Sequence, residues 1–284
     1  MEPSFALALG GGGARGLAHI HVVSALDELG IRPKVIAGSS IGAIMGAGMA
    51  AGMTGREIHD YAQAILGRRA EVASRMWRAR PASLGEVVRG GFRLGQFNVE
   101  RILKSFLPDA LPERFEDLGI PLKVTATDFF GHKLAVFSDG DLVSALAASA
   151  ALPAMFRPVR RDGMLLIDGG IYNPVPFDLL DGAADIVVAI DVVGGPEDMG
   201  RLRPNAMELL FGASQLMMQS IIAMKLATKP PQVFLRPPVS RYRVLDFMKV
   251  DQVLTETVAF KDEVKRAIDA VLTDWPLEDG RKAE

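Results

Sequence analysis

The sequence predicts an α/β fold: a mostly parallel central sheet with helices on both faces. Three observations predict it. Short apolar runs of the kind that suits strands buried on both faces recur along the chain. Stretches with helical period separate them. The first two runs end at glycine-containing turns that open directly into helices, as βα units do. With 284 residues, 49% of them apolar, the chain can bury a sizeable core.

Taken in order, Phe5 to Leu9 is an apolar run stopped by glycines, a buried parallel strand. Residues 14–29 carry Leu17, Ile20, Val23, Leu26 and Leu29 at helical spacing, with Gly30 as a stop. A second strand over 35–37 leads into an apolar helix over 43–53. Thr54 and Glu57 form a capping box that opens a helix to about residue 69. Further strands are predicted at 122–127, 134–137, 164–167, 186–190 and 232–235. Helices are predicted at 141–151, 206–226 and 251–273. No repeat or linker divides the chain, so 1–284 reads as a single domain.

Residues 35–53 carry no charge and pass the length test for a membrane span. Gly38, Ser39, Ser40 and Gly42 interrupt them, leaving a helix too short to cross. The spacings Gly42/Gly46 and Gly48/Gly52 predict instead a small-residue face lying close to a sheet. Residues 68–101 differ in character, with eight arginines against three glutamates, interleaved with Trp77, Phe92 and Phe97. Gly85, Gly90, Gly91 and Gly95 break any long element there. This is an insertion over the core, read either as a solvated arginine face or as a peripheral contact with an anionic bilayer.

Composition excludes several functions. There are no cysteines, which rules out disulfides, thiolate catalysis and cysteine zinc sites. A net charge of −2 gives no reason to expect nucleic acid as a partner. The N-terminus has no basic n-region and no long apolar core, which predicts a cytoplasmic location.

Two motifs carry chemistry. Gly38-Ser39-Ser40-Ile41-Gly42, between a strand and a helix, has the layout of a nucleophile elbow, with Ser40 pushed into the open by a turn too tight for flanking side chains. Gly10-Gly11-Gly12-Gly13-Ala14-Arg15-Gly16 follows the first strand. Its Gly11-x-Gly13-x-x-Gly16 pattern fits a dinucleotide loop, but the second strand ends without the acidic residue that a ribose needs. The other use of such a loop is an oxyanion hole of bare backbone N–H groups beside a helix start.

A serine nucleophile needs a base. The four histidines are His19, His21, His59 and His132, and none lies late enough for the Ser, acid, His order of an α/β-hydrolase. Asp168-Gly169-Gly170 directly follows a predicted strand and offers Asp168 as the base. Asp128, Asp139, Asp185 and Asp191 also lie near strand ends and remain alternatives.

In order and spacing, residues 11–16, 38–42, 148–159 and 168–170 resemble the four blocks of the patatin-like phospholipases. Thr125 to Asp128 with Gly131-His132-Lys133 is similar to that family's central hairpin. The resemblance covers about 5–193 and leaves 194–284 as a helical part without a recognised motif. It implies a three-layer fold and a Ser-Asp acyl hydrolase acting on phospholipid or other acyl esters, without metal or nucleotide. Ser40 would be the nucleophile and Asp168 the general base. Gly11, Gly12, Gly13, Ala14, Arg15 and Gly16 would form the oxyanion loop, with Gly38, Gly42, Gly169 and Gly170 in support. Arg15 would order that loop or meet phosphate. A regulatory protein on the same fold and a nucleotide-binding oxidoreductase are the competing classes.

Overall fold

A computed structural model describes residues 3–78, 97–198 and 204–275. The chain forms a three-layer α/β structure around one sheet in the order β5-β6-β3-β2-β1-β7-β8, with β4 on the far edge of β3. The strands are β1 Phe5–Leu9, β2 Val35–Ser39, β3 Leu122–Asp128, β4 Lys133–Phe137, β5 Val159–Arg161, β6 Met164–Asp168, β7 Ile186–Ile190 and β8 Val233–Leu235. β3, β2, β1, β7 and β8 run parallel, and β4, β5 and β6 add antiparallel pairs. β5, with two arginines in three residues, has no apolar signal and escapes sequence reading.

The described helices are α1 His19–Glu28, α2 Ile41–Ala50, α3 Gly55–Leu66, α4 Arg69–Arg78, α5 Val99–Phe106, α6 Leu142–Ser149, α7 Ala206–Thr228, α8 Val250–Glu256 and α9 Phe260–Thr273. The predicted helix over 14–29 begins as a 3-10 turn, Gly13–Ala18, before α1. The capping box at Thr54 is formed in full. The predicted helix over 251–273 breaks near Thr257, whose hydroxyl donates to Val253 O at 2.7 Å.

Two cores flank the sheet. The larger gathers Leu7, Leu9, Ile20, Ile36, Leu142 and Phe260 with their neighbours from α1, α2, α6, α8 and α9. The smaller joins Ala6, Ala8, Val187 and Ala189 to Phe177, Leu180 and Ile222 of α7. The expected small-residue face of α2 divides. A Cβ on Gly46 would sit 2.9 Å from Ile36 Cγ2 on the sheet, whereas one on Gly48 would meet Ile58 of α3. Gly52 ends the helix at φ 93° with open space around it.

Residues 79–96 of the arginine-rich insertion lie outside the described residues. At its described ends α4 packs against α3 and α5, and Val99 of α5 is buried. Arg75 is not a surface charge: it pairs with Glu71 at 2.7 Å and donates to the backbone oxygen of Ser105.

Candidate active site

Strand register brings Ser40 and Asp168 together. A strand has two hydrogen-bonding edges, and β4 takes one edge of β3 from Val124 to Asp128. β2 and β6 must therefore share the other. β2 pairs along it up to Thr125, opposite Ser39, and β6 takes over at Ala126, opposite Asp168. Since β6 runs antiparallel, the C-terminal ends of the two strands meet head to head. Ser40 Oγ donates to Asp168 Oδ2 at 2.6 Å.

The elbow is strained as well as tight. Ser40 has φ 52° and ψ −123°, a backbone state that non-glycine residues adopt only when their surroundings impose it. Two contacts impose it. Its N–H donates to the buried Ser149 Oγ at 2.8 Å, and a Cβ on Gly42 would sit 2.2 Å from Leu9 O, so α2 can start where it does only with glycine there. Ser149 falls within the sequence block 148–159 without a role of its own there, although a lone hydroxyl in the run from Ala145 to Ala151 is a usable signal. Ser39 is fully buried, whereas Ser40 retains 9% exposure and lines a cavity.

Asp168 is 4% exposed, and burial pushes its carboxyl up to about 6 against the opposing hydrogen bonds from Ser40 and Gly170. The Gly170 N–H reaches Oδ1 at 2.8 Å, and Thr127 Oγ1 donates to the Asp168 backbone oxygen at 2.9 Å. The two glycines therefore have specific tasks beyond leaving space. A Cβ on Gly169 would fall 2.3 Å from Thr125 O, where the chain crosses β3, and Gly170 supplies the amide. The other aspartates are engaged elsewhere: Asp128 accepts from Gly131 N–H, Asp185 from Ser4, and Asp191 pairs with Arg236 at 2.7 Å. Asp139 contributes its backbone oxygen to Arg161.

In the glycine loop, most amides are already committed. Gly10 N–H donates to Ile190 O at 2.9 Å, Gly11 N–H to Pro174 O at 2.9 Å and Ala14 N–H to Val244 O at 2.8 Å. Arg15 and Gly16 lie inside the 3-10 turn, and a Cβ on Gly16 would strike Ile41. Gly12 and Gly13 N–H have no protein acceptor among the described residues, and both residues line the cavity. Arg15 is buried; desolvation lowers its pKa to about 10, opposed by nearby Asp191. Its Nε donates to Gly12 O at 3.1 Å. In a trans peptide the carbonyl and the next N–H point opposite ways, so this bond turns Gly13 N–H away from Arg15. Arg15 also lines the cavity at Ser40, so its buried guanidinium stands beside the loop and within reach of that hollow.

His19 lies beneath the same loop, fully buried, with Nε2 at 2.9 Å from Gly10 O. Desolvation holds its pKa down at about 4. A carbonyl only accepts, so Nε2 carries the proton. His21 serves Leu254 O and His59 lies beside Asp60.

Ser40, Asp168 and Gly11 to Gly13 face a cavity of about 510 Å³. Its lining includes Ile44, Ile58, Ile65, Met76 and Phe106 from α2, α3, α4 and α5, together with Phe211 and Met218 of α7, Leu245 and Met248. Few polar groups converge on Ser40 in an otherwise apolar hollow, the usual make-up of a small-molecule site.

The sequence profile of the family described as Patatin-like phospholipase matches residues 7–181. An uncharacterized NTE family protein of Mycobacterium tuberculosis is 37% identical over 194 residues, covering 68% of this chain and 50% of the relative. Patatin-like phospholipase domain-containing protein 6 of Homo sapiens is 30% identical over 285 residues, 88% of this chain and 19% of the relative. Lysophospholipase NTE1 of Debaryomyces hansenii is 28% identical over 301 residues, 96% and 18%. The chain thus spans half the length of the mycobacterial relative and about a fifth of the other two.

Proposed function

The chain belongs to the patatin-like phospholipase family, and from that premise we propose that it is a serine acyl hydrolase that cleaves carboxylic esters of lipids through Ser40 and Asp168. The observation that carries this reading is the 2.6 Å hydrogen bond from Ser40 Oγ to Asp168 Oδ2 at the floor of an apolar cavity.

The reaction runs in two halves. Ser40 Oγ attacks the ester carbonyl while its proton passes to Asp168 Oδ2. The oxyanion faces the N–H groups of Gly12 and Gly13, which are fixed before the reaction begins. As the tetrahedral intermediate collapses, Asp168 returns the proton to the leaving alcohol and the acyl group stays on Ser40. Asp168 then takes a proton from water as that water attacks the acyl ester, and the fatty acid leaves with Ser40 regenerated. A carboxyl held at about 6 suits both halves, since it is ionised at neutral pH yet basic enough to accept a proton.

The apolar lining that α2, α3, α4 and α5 give the cavity suits an acyl chain. A lysophospholipid is the substrate we assign, in keeping with the name of the fungal relative. In this reading the 68–101 insertion makes a peripheral electrostatic contact with an anionic bilayer, reduced by the inward pairing of Arg75.

A fluorophosphonate tests the assignment. Intact mass should show one adduct on the wild type and none on Ser40→Ala, with fatty acid released from lysophosphatidylcholine by the wild type alone. Equal labelling of both proteins would sink Ser40 as nucleophile.

A further inference from the structure

Helix α7 is built inside out. It is the crossover between the parallel strands β7 and β8, and the polar side chains along its middle turn toward the protein. Gln215 Nε2 donates to Val193 O at 3.1 Å, Gln219 Nε2 to Gly194 O at 3.2 Å, and Lys225 Nζ to Asn173 Oδ1 at 2.6 Å. The opposite face is apolar. Leu210, Met217 and Met224, each two helical turns from the next, are 50%, 62% and 63% exposed. Even the serine on this face hides its hydroxyl, since Ser220 Oγ donates to Leu216 O at 3.1 Å. No charged residue falls between Glu208 and Lys225. A helix facing water presents the reverse arrangement.

By length and composition alone, α7 could cross a membrane. Its inward glutamines and lysine tie it to the loops after β6 and β7, so it lies along the sheet instead. The outward stripe is continuous with the cavity: Phe211 and Met218, on the neighbouring face of the same helix, line the hollow that holds Ser40, as do the exposed Leu245 and Met248.

We infer that the outward face of α7 docks the protein on a lipid surface, with the cavity mouth at the edge of the docked face. This rests on the acyl-hydrolase reading, because a single-chain lipid resides in an aggregate and must pass from it to Ser40. The occupant is lipid because the stripe runs uncharged into a lipid-sized apolar cavity, and Leu and Met side chains offer deformable area to acyl chains. Attachment is therefore through apolar burial, so neutral lipid suffices and salt has little effect.

The test is the triple variant Leu210→Gln, Met217→Gln, Met224→Gln. None of these residues lines the cavity, and glutamine preserves helix propensity at exposed positions. Wild type should sediment with phosphatidylcholine vesicles at low and high salt, and the variant at least about tenfold more weakly. Hydrolysis of lysophosphatidylcholine carried in those vesicles should fall in step. Fluorophosphonate labelling at Ser40, turnover of a short soluble ester and Tm should stay within about twofold or a few degrees of wild type. Equal vesicle binding by both proteins overturns the inference. So does a lipid-free wild-type dimer that the variant abolishes, which would make a second copy the occupant. No labelling and no ester turnover in either protein, with the vesicle difference intact, overturns the hydrolase reading and upholds the docking face.

Discussion

Helices α2 and α7 are both apolar crossover helices that touch the cavity, yet α2 is buried throughout except for the partly exposed Ile44, while only Gly212 and Ile222 of α7 are buried. Strands lie under α2 and α3 lies beside it, so a Cβ on Gly42 would meet backbone and one on Gly46 or Gly48 a neighbouring side chain. α7 has the sheet on one side only, and its polar side chains use that side. Hydropathy states how much surface should leave water and is silent about what covers it. One helix is covered by its own chain; the other, in our reading, by lipid.

The largest effect should arise where α2 begins. Asp168→Asn keeps the shape and the acceptor for Gly170 N–H but removes the base, so turnover should fall about 10²- to 10⁴-fold on soluble and aggregated substrates alike. Stability should move the other way. The carboxyl stands at about 6 in the folded protein against 3.8 as its ordinary value. Below the lower value both states are protonated and burial exacts nothing. As pH rises through this window the unfolded chain ionises first, so stability falls, and at neutral pH the buried charge costs about 3 kcal/mol. The asparagine variant should be more stable by up to that amount at pH 7 and lose the advantage near pH 4. Wild-type activity should rise through about pH 6 as the base ionises. A variant with full turnover, or one whose stability advantage over wild type is no larger at pH 7 than at pH 4, would contradict the assignment.

The same substitution in each helix sharpens the comparison. In Gly42→Ala the new Cβ would lie 2.2 Å from Leu9 O, a backbone atom of a central strand. That should cost about 3 kcal/mol or more, with loss of labelling as the elbow shifts. In Gly212→Ala the nearest atom is Pro196 Cβ at 3.6 Å, an ordinary contact. There the higher helix propensity of alanine should add about 0.5–1 kcal/mol. Denaturant midpoints would show opposite signs, and a shift in the same direction for both would mean the two settings are not different in kind.

This contrast also explains what the sequence made legible. The elbow, the glycine loop and Asp168-Gly169-Gly170 could be read because each holds glycines that local geometry demands, beside a residue type with few chemical uses. Helix 206–226 could be read as well, close to Ala206–Thr228. Which of its faces points outward could not, because apolar residues occur all round it. The meeting of Ser40 and Asp168 depends on β4 occupying the far edge of β3, a non-local fact that no window of residues contains. The division of labour among the loop amides likewise depends on Pro174, Ile190 and Val244, far away in sequence.

A third change asks how far the order at the α2 end extends. Arg15→Met keeps the length and most of the apolar packing but loses the bond from Nε to Gly12 O. If that bond aims Gly13 N–H at the oxyanion, kcat should fall about tenfold or more with KM little changed, since the contact matters only once charge develops. A fall confined to KM would instead mean that Arg15 serves ground-state binding.

The smallest effect is expected one residue before Ser40. Ser39 has no exposed surface, and its Oγ has no hydrogen-bond partner among the described residues. A buried hydroxyl without a partner loses its hydration for nothing, so Ser39→Ala should be neutral or stabilising by up to about 1 kcal/mol. Turnover and fluorophosphonate labelling should match wild type, because the strained turn exposes Ser40 and keeps Ser39 in the sheet. The result separates two readings of the α2 end. If all of its polar groups served the chemistry, removing this hydroxyl would lower turnover and denaturant midpoint together. If only Ser40 is turned toward the cavity, Ser39→Ala leaves both intact, and the interior beneath α2 is as dry as its composition implies.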